Sequence, residues 1–278
     1  LARDRGPARA RSTLEVLAWA RLVAARLVEA QPAMAPFYHL ANVLLGAAAC
    51  ESATEAVARV RAAPLAFAEE AEAYAAAAAE RAATLVPEGG TVVTYSRSHS
   101  VLEALRVGAD SGRLWTVRVS EARPKHEGRS VARDAAEWGH RVEFFTDAGL
   151  LAAVGGADVL LVGADAIGES RLRNKAGTAA LARSARAAGV PAYVVTDPLK
   201  LLPERLWIPE EERPAREVWA VRRRRVTVRN RYFEDVPLSL FDGIVLGARD
   251  RDAHPPGDLT RWPAADYFQP LERLLAGG

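Results

Sequence analysis

Pro87-Glu88-Gly89-Gly90-Thr91-Val92-Val93-Thr94-Tyr95-Ser96 divides the chain into two kinds of sequence. Proline, an acid and two glycines break any regular element, and the apolar run behind them is too short for a helix. Similar runs recur downstream at residues 114–121, 141–147, 159–165, 192–197 and 243–247. Stretches of helical spacing fit between most of them, at 98–107, 129–138, 148–154 and 174–188. Near-continuous apolar strands alternating with helices predict a parallel sheet covered on both faces. The expected architecture over residues 89–278 is therefore a Rossmann-like, doubly wound α/β domain. The irregular stretch between Asp197 and Gly243 is expected to add strands at 217–221 and 225–228.

Upstream of the break no strand is visible. Leu14, Leu17, Ala24 and Val28 recur with charged residues between them, which is amphipathic helix spacing, and Gln31-Pro32 ends it. A second helix is expected over 36–49 and a long alanine-rich one over 64–86, so residues 1–88 read as a helical N-terminal domain.

The 278 residues suit either one large domain or two modest ones, with a sizeable core. A net charge of +2 gives little electrostatic case for nucleic acid. Cys50 is the single cysteine, which excludes an internal disulfide and any multi-cysteine metal site. No run approaches the roughly 18 apolar residues of a membrane span, and the first residues lack the apolar core of a secretory signal. A cytoplasmic protein with no membrane contact is expected.

Ligands of open α/β sheets bind beyond the carboxyl ends of the strands, where strand order reverses. Those ends are polar here: Tyr95-Ser96-Arg97-Ser98, Glu121-Ala122-Arg123-Pro124-Lys125, Thr146-Asp147, Gly163-Ala164-Asp165 and Thr196-Asp197. Asp197 before Pro198, and Asp147 before the next helical stretch, read most simply as helix N-caps. Asp165 does not, because a loop over 166–173 follows it, so it is a candidate functional carboxylate. Asn174-Lys175 is expected to open the next helix, where free N–H groups favour an anion; a capping asparagine beside a solvated lysine is the alternative. Arg123, Lys125 and His126 make a second anion-binding loop, or else a charged surface turn. The hydroxyls of Ser96, Ser98 and Ser100 suit phosphate oxygens or helix capping, and Ser100 with Glu103 fits a capping box. There is no G-x-S-x-G elbow, G-x-G-x-x-G fingerprint or Walker loop, so neither nicotinamide nor ATP is supported and no cofactor or metal is expected. The arginine run 222–225 is read as an edge strand or interface more simply than as a nucleic-acid contact. The apolar segment 199–208, which no helix or strand pattern absorbs, suggests a subunit interface.

Three of these segments carry a resemblance. Glu121-Ala122-Arg123-Pro124-Lys125-His126-Glu127-Gly128-Arg129, Val162-Gly163-Ala164-Asp165-Ala166-Ile167 and Asn174-Lys175-Ala176-Gly177-Thr178 resemble, in order and spacing, the initiation factor 2B-related family. That family holds the alpha, beta and delta regulatory subunits of initiation factor 2B and isomerases of methylthioribose 1-phosphate or ribose 1,5-bisphosphate. Asn230-Arg231-Tyr232-Phe233-Glu234-Asp235-Val236-Pro237 is similar to its closing motif, and Pro32-Ala33-Met34-Ala35-Pro36 to a more variable one. The resemblance implies a helical domain on a Rossmann-like domain, assembled as a homodimer. It places Asp165 at the isomerases' catalytic aspartate, Asn174 and Lys175 at a ligand-contacting pair, and Arg123 and Lys125 in a substrate loop. Ser96 stands where the isomerases carry cysteine, Gln31 where they carry arginine, and Glu127 where they carry glutamine. A serine hydroxyl needs an adjacent base to do what a thiolate does near neutral pH. The expectation is an initiation factor 2B alpha-like protein that binds a small phosphorylated ligand, a sugar phosphate or nucleotide, between Arg97, Arg123, Lys125 and Asn174-Lys175. The alternative is an aldose-to-ketose phosphate isomerase, an intramolecular oxidoreductase, using Asp165 and Ser96.

Overall fold

A computed structural model describes residues 12–247 and 266–276. Ser12 caps α1 (Thr13–Ala30) by accepting from the Glu15 N–H, and α2 (Ala35–Ala48) carries Pro36 in its first turn. α3 (Ala53–Thr84) starts at a Ser52 cap and not at Pro64. The expected helix is thus longer at its front end. Proline inside a helix normally breaks it, but Pro64 faces solvent here, while Ala56, Val60 and Ala63 on the same helix are held against Val16, Ala20, Leu44 and Ala48 of α1 and α2.

The strands follow as β1 (Thr91–Thr94), β2 (Thr116–Ser120), β3 (Arg141–Phe145), β4 (Val159–Val162), β5 (Ala166–Ile167), β6 (Arg171–Lys175), β7 (Ala192–Thr196), β8 (Phe233–Pro237) and β9 (Gly243–Leu246). Between them lie α4 (His99–Asp110), α5 (Gly128–Glu137), α6 (Asp147–Ala152) and α7 (Thr178–Ala187), and α8 (Gln269–Leu275) comes last. Six strands form one parallel sheet in the order β3-β2-β1-β4-β7-β9. This is the doubly wound arrangement expected from the alternating runs, with its reversal between β1 and β4. One face is covered by α3, α4 and α5 around Val92, Leu105, Trp115 and Leu161, the other by α6 and α7 around Val93, Leu160, Leu181 and Val194. The C-terminal half of α3 (Ala78, Ala79, Ala82, Ala83) lies within the first of these cores. The same helix therefore serves both the N-terminal helices and the sheet.

Four local expectations are corrected. No strand forms at 217–221 or 225–228; β8 lies further on and pairs antiparallel with β6, which pairs with β5 in a small second sheet. Asn174 and Lys175 belong to β6, and the helix starts three residues later, after Gly177 turns the chain at φ +113°. A non-glycine residue there would be strained. Ser98, not Ser100, caps α4. The leucines of the segment 199–208 are not exposed: Leu201 and Leu202 are fully buried, and Leu202 and Leu206 pack with Tyr38, Ala41, Phe268 and Leu271. His39 Nε2 and the Leu201 carbonyl, 2.8 Å apart, fasten it to α2. The apolar surface that suggested an interface is thus consumed inside the subunit. No helix among the described residues is long and apolar enough to cross a membrane.

Candidate functional site

Beyond the ends of β1 and β4 the chain opens into a cleft of about 550 Å³. The loops after β1 and β4 supply Ser96 and Asp165, β6 supplies Lys175, the turn after β7 supplies Asp197 and Lys200, and Glu127 enters from the loop before α5. Met34, Phe67, Ala71 and Glu72 of the helical part form the facing wall. Ser96 sits at φ +62°, a left-handed conformation uncommon outside glycine, which turns the chain sharply off the end of β1.

The floor is a three-membered contact. Ser96 Oγ donates to Glu127 Oε2 at 3.2 Å, and the Lys175 ammonium donates to the same oxygen. The Lys175 side chain is only 4% exposed, so the carboxylate is its compensating charge. Asp165 stands near both. Its carboxyl is pushed up to about 6 by burial, with Lys200 and Lys175 opposing the rise and Glu127 adding to it. Asp197 caps the short turn Pro198–Lys200 through the Leu199 N–H at 2.9 Å, as read from the sequence, and burial raises its carboxyl too. The Lys200 ammonium makes no hydrogen bond or salt bridge among the described residues. Its charge acts on Asp165, Asp197 and His39.

Titration of Asp165 has a consequence for folding. An unfolded aspartate ionises near 3.9, so between about pH 4 and 6 the folded chain keeps a proton that the unfolded chain has lost. Stability from this site falls as pH rises through that window and levels off above it, by on the order of 2–3 kcal/mol. Asp165→Asn should therefore melt higher than wild type at about pH 7 and lose most of that advantage near pH 4. Melting curves of the two proteins that stay parallel across this range would contradict the assignment.

The other expected site residues are arranged differently. Arg97 lies at the cleft edge but is engaged by Asp134 Oδ2 (2.7 Å) and Ser130 Oγ (3.0 Å) on α5. Arg123 and Lys125 do not line the cleft: Arg123 donates to the Val218 carbonyl (3.0 Å) and Lys125 to Glu217 Oε1 (2.6 Å). Asn174 Nδ2 donates to Thr178 Oγ1. The N-terminus of α7 is already occupied, because Glu234 Oε1 accepts from the Gly177 and Ala179 N–H groups at 2.9 and 2.8 Å. An anion pocket joining Arg97, Arg123, Lys125 and that helix start is therefore not formed. Asp147 is not the helix N-cap that the sequence suggested. Thr146 caps α6, while Asp147 accepts from Ser120 Oγ, Ala122 N and Arg123 N at 2.7–2.9 Å and so pins the 121–128 loop to the sheet. Glu127 and Lys200 were not anticipated as cleft residues. The one available signal for Lys200 was that this third of only three lysines also follows a strand end.

Residues 12–247 match the model of the Initiation factor 2 subunit family. The chain belongs to that family. Among curated relatives of this family member, the putative translation initiation factor eIF-2B subunit 2-like protein of Pyrococcus furiosus is 30% identical over 220 residues, 79% of this chain and 76% of that one. A ribose 1,5-bisphosphate isomerase of Archaeoglobus fulgidus is 31% identical over 166 residues, 58% of this chain. The matched segment spans about half of that isomerase, 53%. Among solved structures, the translation initiation factor eIF-2B of Pyrococcus horikoshii superposes with a TM-score of 0.77 at 25% identity, over 90% of this chain and 86% of that one. Relatives of this family member thus include both eIF-2B-like proteins and sugar-phosphate isomerases.

Proposed function

We propose that this member of the initiation factor 2 subunit family binds a small phosphorylated ligand, a sugar phosphate or nucleotide, in the β1/β4 cleft, and acts as an eIF-2B-like regulator. Lys200 is the observation that carries this reading: a cleft lysine with no salt bridge among the described residues, beside the Lys175–Glu127 pair and an Asp165 that ionises only near neutrality. A phosphate entering there meets an available ammonium, and Asp165, which titrates at about 6, can take up a proton as the anion approaches. Assembly as a homodimer is part of the same reading and rests on the family resemblance alone.

A screen of sugar phosphates and nucleotides by thermal shift tests it. A ligand at a hundredfold excess over its dissociation constant should stabilise the fold by about 2.7 kcal/mol. For a chain of this size that is a rise of roughly 5–10 °C. Lys200→Ala should abolish the rise without lowering the melting point of the empty protein. If no phosphorylated compound raises the melting point, or if Lys200→Ala leaves the rise intact, the reading fails.

The second reading, an aldose-to-ketose phosphate isomerase, is favoured by Asp165, whose ionisation near 6 suits proton transfer at neutral pH. Ser96 weakens it. Its hydroxyl donates to Glu127, but that carboxylate oxygen is already engaged by the Lys175 ammonium.

A further inference from the structure

The loop between Pro214 and Asn230 plays no part in the cleft floor, and its chemistry is unlike that of the rest of the surface. Its base is firmly closed. Asn230 Nδ2 donates to the Pro214 carbonyl (2.9 Å) and to Glu217 Oε2 (3.1 Å), and the Arg213 N–H donates to the Asn230 carbonyl (2.7 Å). Glu217 is further held by Lys125 and by the Tyr232 hydroxyl. From this clamp the chain runs out to a turn closed by the Val226 N–H and the Arg223 carbonyl at 3.1 Å. The arginine run 222–225 occupies that tip and is exposed throughout.

Between residues 216 and 231 there are seven arginines against one acid, Glu217. Arg229 and Arg231 are paired with Glu212. Arg216 and the four tip arginines form no side-chain hydrogen bond or salt bridge among the described residues. Trp219, 60% exposed, stands in the same loop. A net charge of +2 for the chain conceals this concentration.

We infer that this loop binds single-stranded nucleic acid. Clustered, uncompensated guanidinium groups attract a phosphate backbone, and an exposed indole offers a face on which a base can stack. A folded protein partner fits less well: Val218, Trp219 and Val226 are the exposed large apolar residues of the loop, far short of an interface core, from which charge is normally depleted. A duplex fits less well too, because the tip is a turn and presents neither helix nor strand ribbon to a groove. The inference is independent of the ligand proposed for the cleft.

Fluorescence anisotropy with a fluorescein-labelled oligouridylate of roughly 20 nucleotides, across about 50–200 mM salt, tests it. The full chain should bind, with affinity falling steeply as salt rises. The variant carrying Arg222→Gln, Arg223→Gln, Arg224→Gln and Arg225→Gln should bind at least about tenfold more weakly at low salt. Its log–log salt slope should be shallower by about 3, some 0.7 for each phosphate that is no longer neutralised. Trp219→Ala should weaken binding and leave the slope unchanged. Both variants should melt with wild type, since the altered side chains are exposed. The inference is overturned by absence of binding at low salt, by an unaltered slope in the fourfold variant, or by an oligoglutamate of equal charge competing as well as the oligonucleotide. It is equally overturned if light scattering shows that the fourfold variant has changed its oligomeric state, which would make the run a contact between copies.

Discussion

Gly128→Ala should leave little folded protein, and whatever folds should melt roughly 10 °C or more below wild type. Gly128 opens α5 immediately after Glu127, and a Cβ there would lie 1.7 Å from the Ser120 carbonyl oxygen and 2.9 Å from its carbon. Both are backbone atoms at the end of β2, so no flexible side chain can move aside. Overpacking a core typically costs 1–3 kcal/mol and more when backbone must yield. Each kcal/mol shifts the midpoint of a chain of this size by roughly 2–4 °C. Gly155→Ala is the control: nothing lies within 4 Å of its Cβ position and the site is exposed, so its melting point should stay near that of wild type. A Gly128→Ala protein that melts with the control would show that the 121–128 loop is not pressed onto the sheet as described, and Glu127 would then have no fixed place in the cleft.

The second large effect concerns Ser96. Placing a thiol there alone should give an unremarkable cysteine, because Glu127 beside it raises the thiol pKa while Lys175 lowers it. Ser96→Cys combined with Glu127→Gln removes the carboxylate and leaves Lys175 facing the sulfur. A neighbouring cation lowers such a pKa by 1–3 in the usual case, so alkylation at neutral pH should run about tenfold faster in the double variant than in the single one. The experiment is done with Cys50→Ser, which removes the native thiol. Turnover of ribose 1,5-bisphosphate or methylthioribose 1-phosphate should appear, if at all, only in the double variant. Equal alkylation rates would mean that Glu127 does not control the charge at residue 96. Efficient turnover by wild type, abolished in Asp165→Asn, would install the isomerase reading instead.

Apart from the edge strand β3, whose residues are exposed or half-buried, the strands of the main sheet were legible because their burial comes from their own composition. Val92 and Val93, or Leu160 and Leu161, are apolar and go inside wherever the chain takes them. β6 was illegible for the opposite reason. Arg173, Asn174 and Lys175 are buried although polar, and what permits it lies far away in sequence: Asp235 for Arg173, Glu127 for Lys175. No local pattern announces a buried ion pair whose members are 48 or 62 residues apart. The site divides along the same line. Ser96 and Asp165 could be placed at the cleft because each follows a strand near the switch point, whereas Lys175 reaches it from β6 and not from the helix start expected for it. Arg123 and Lys125 could not, since their direction is set by Asp147 on one side and by Glu217 and Val218 on the other. Lys200 was hidden inside a segment whose leucines suggested an exposed interface and turned out to fill a core.

One helix has a bearing on how anything enters the cleft. Phe67, Ala71, Glu72 and Ala75 of α3 form part of its wall, and a single turn further along the same rod Ala78 and Ala79 are embedded beneath the sheet. The wall of the cleft and the sheet beneath it thus share one helix, so a small molecule reaching Ser96 and Asp165 passes side chains such as Phe67 that are borne by an element anchored in both halves of the molecule.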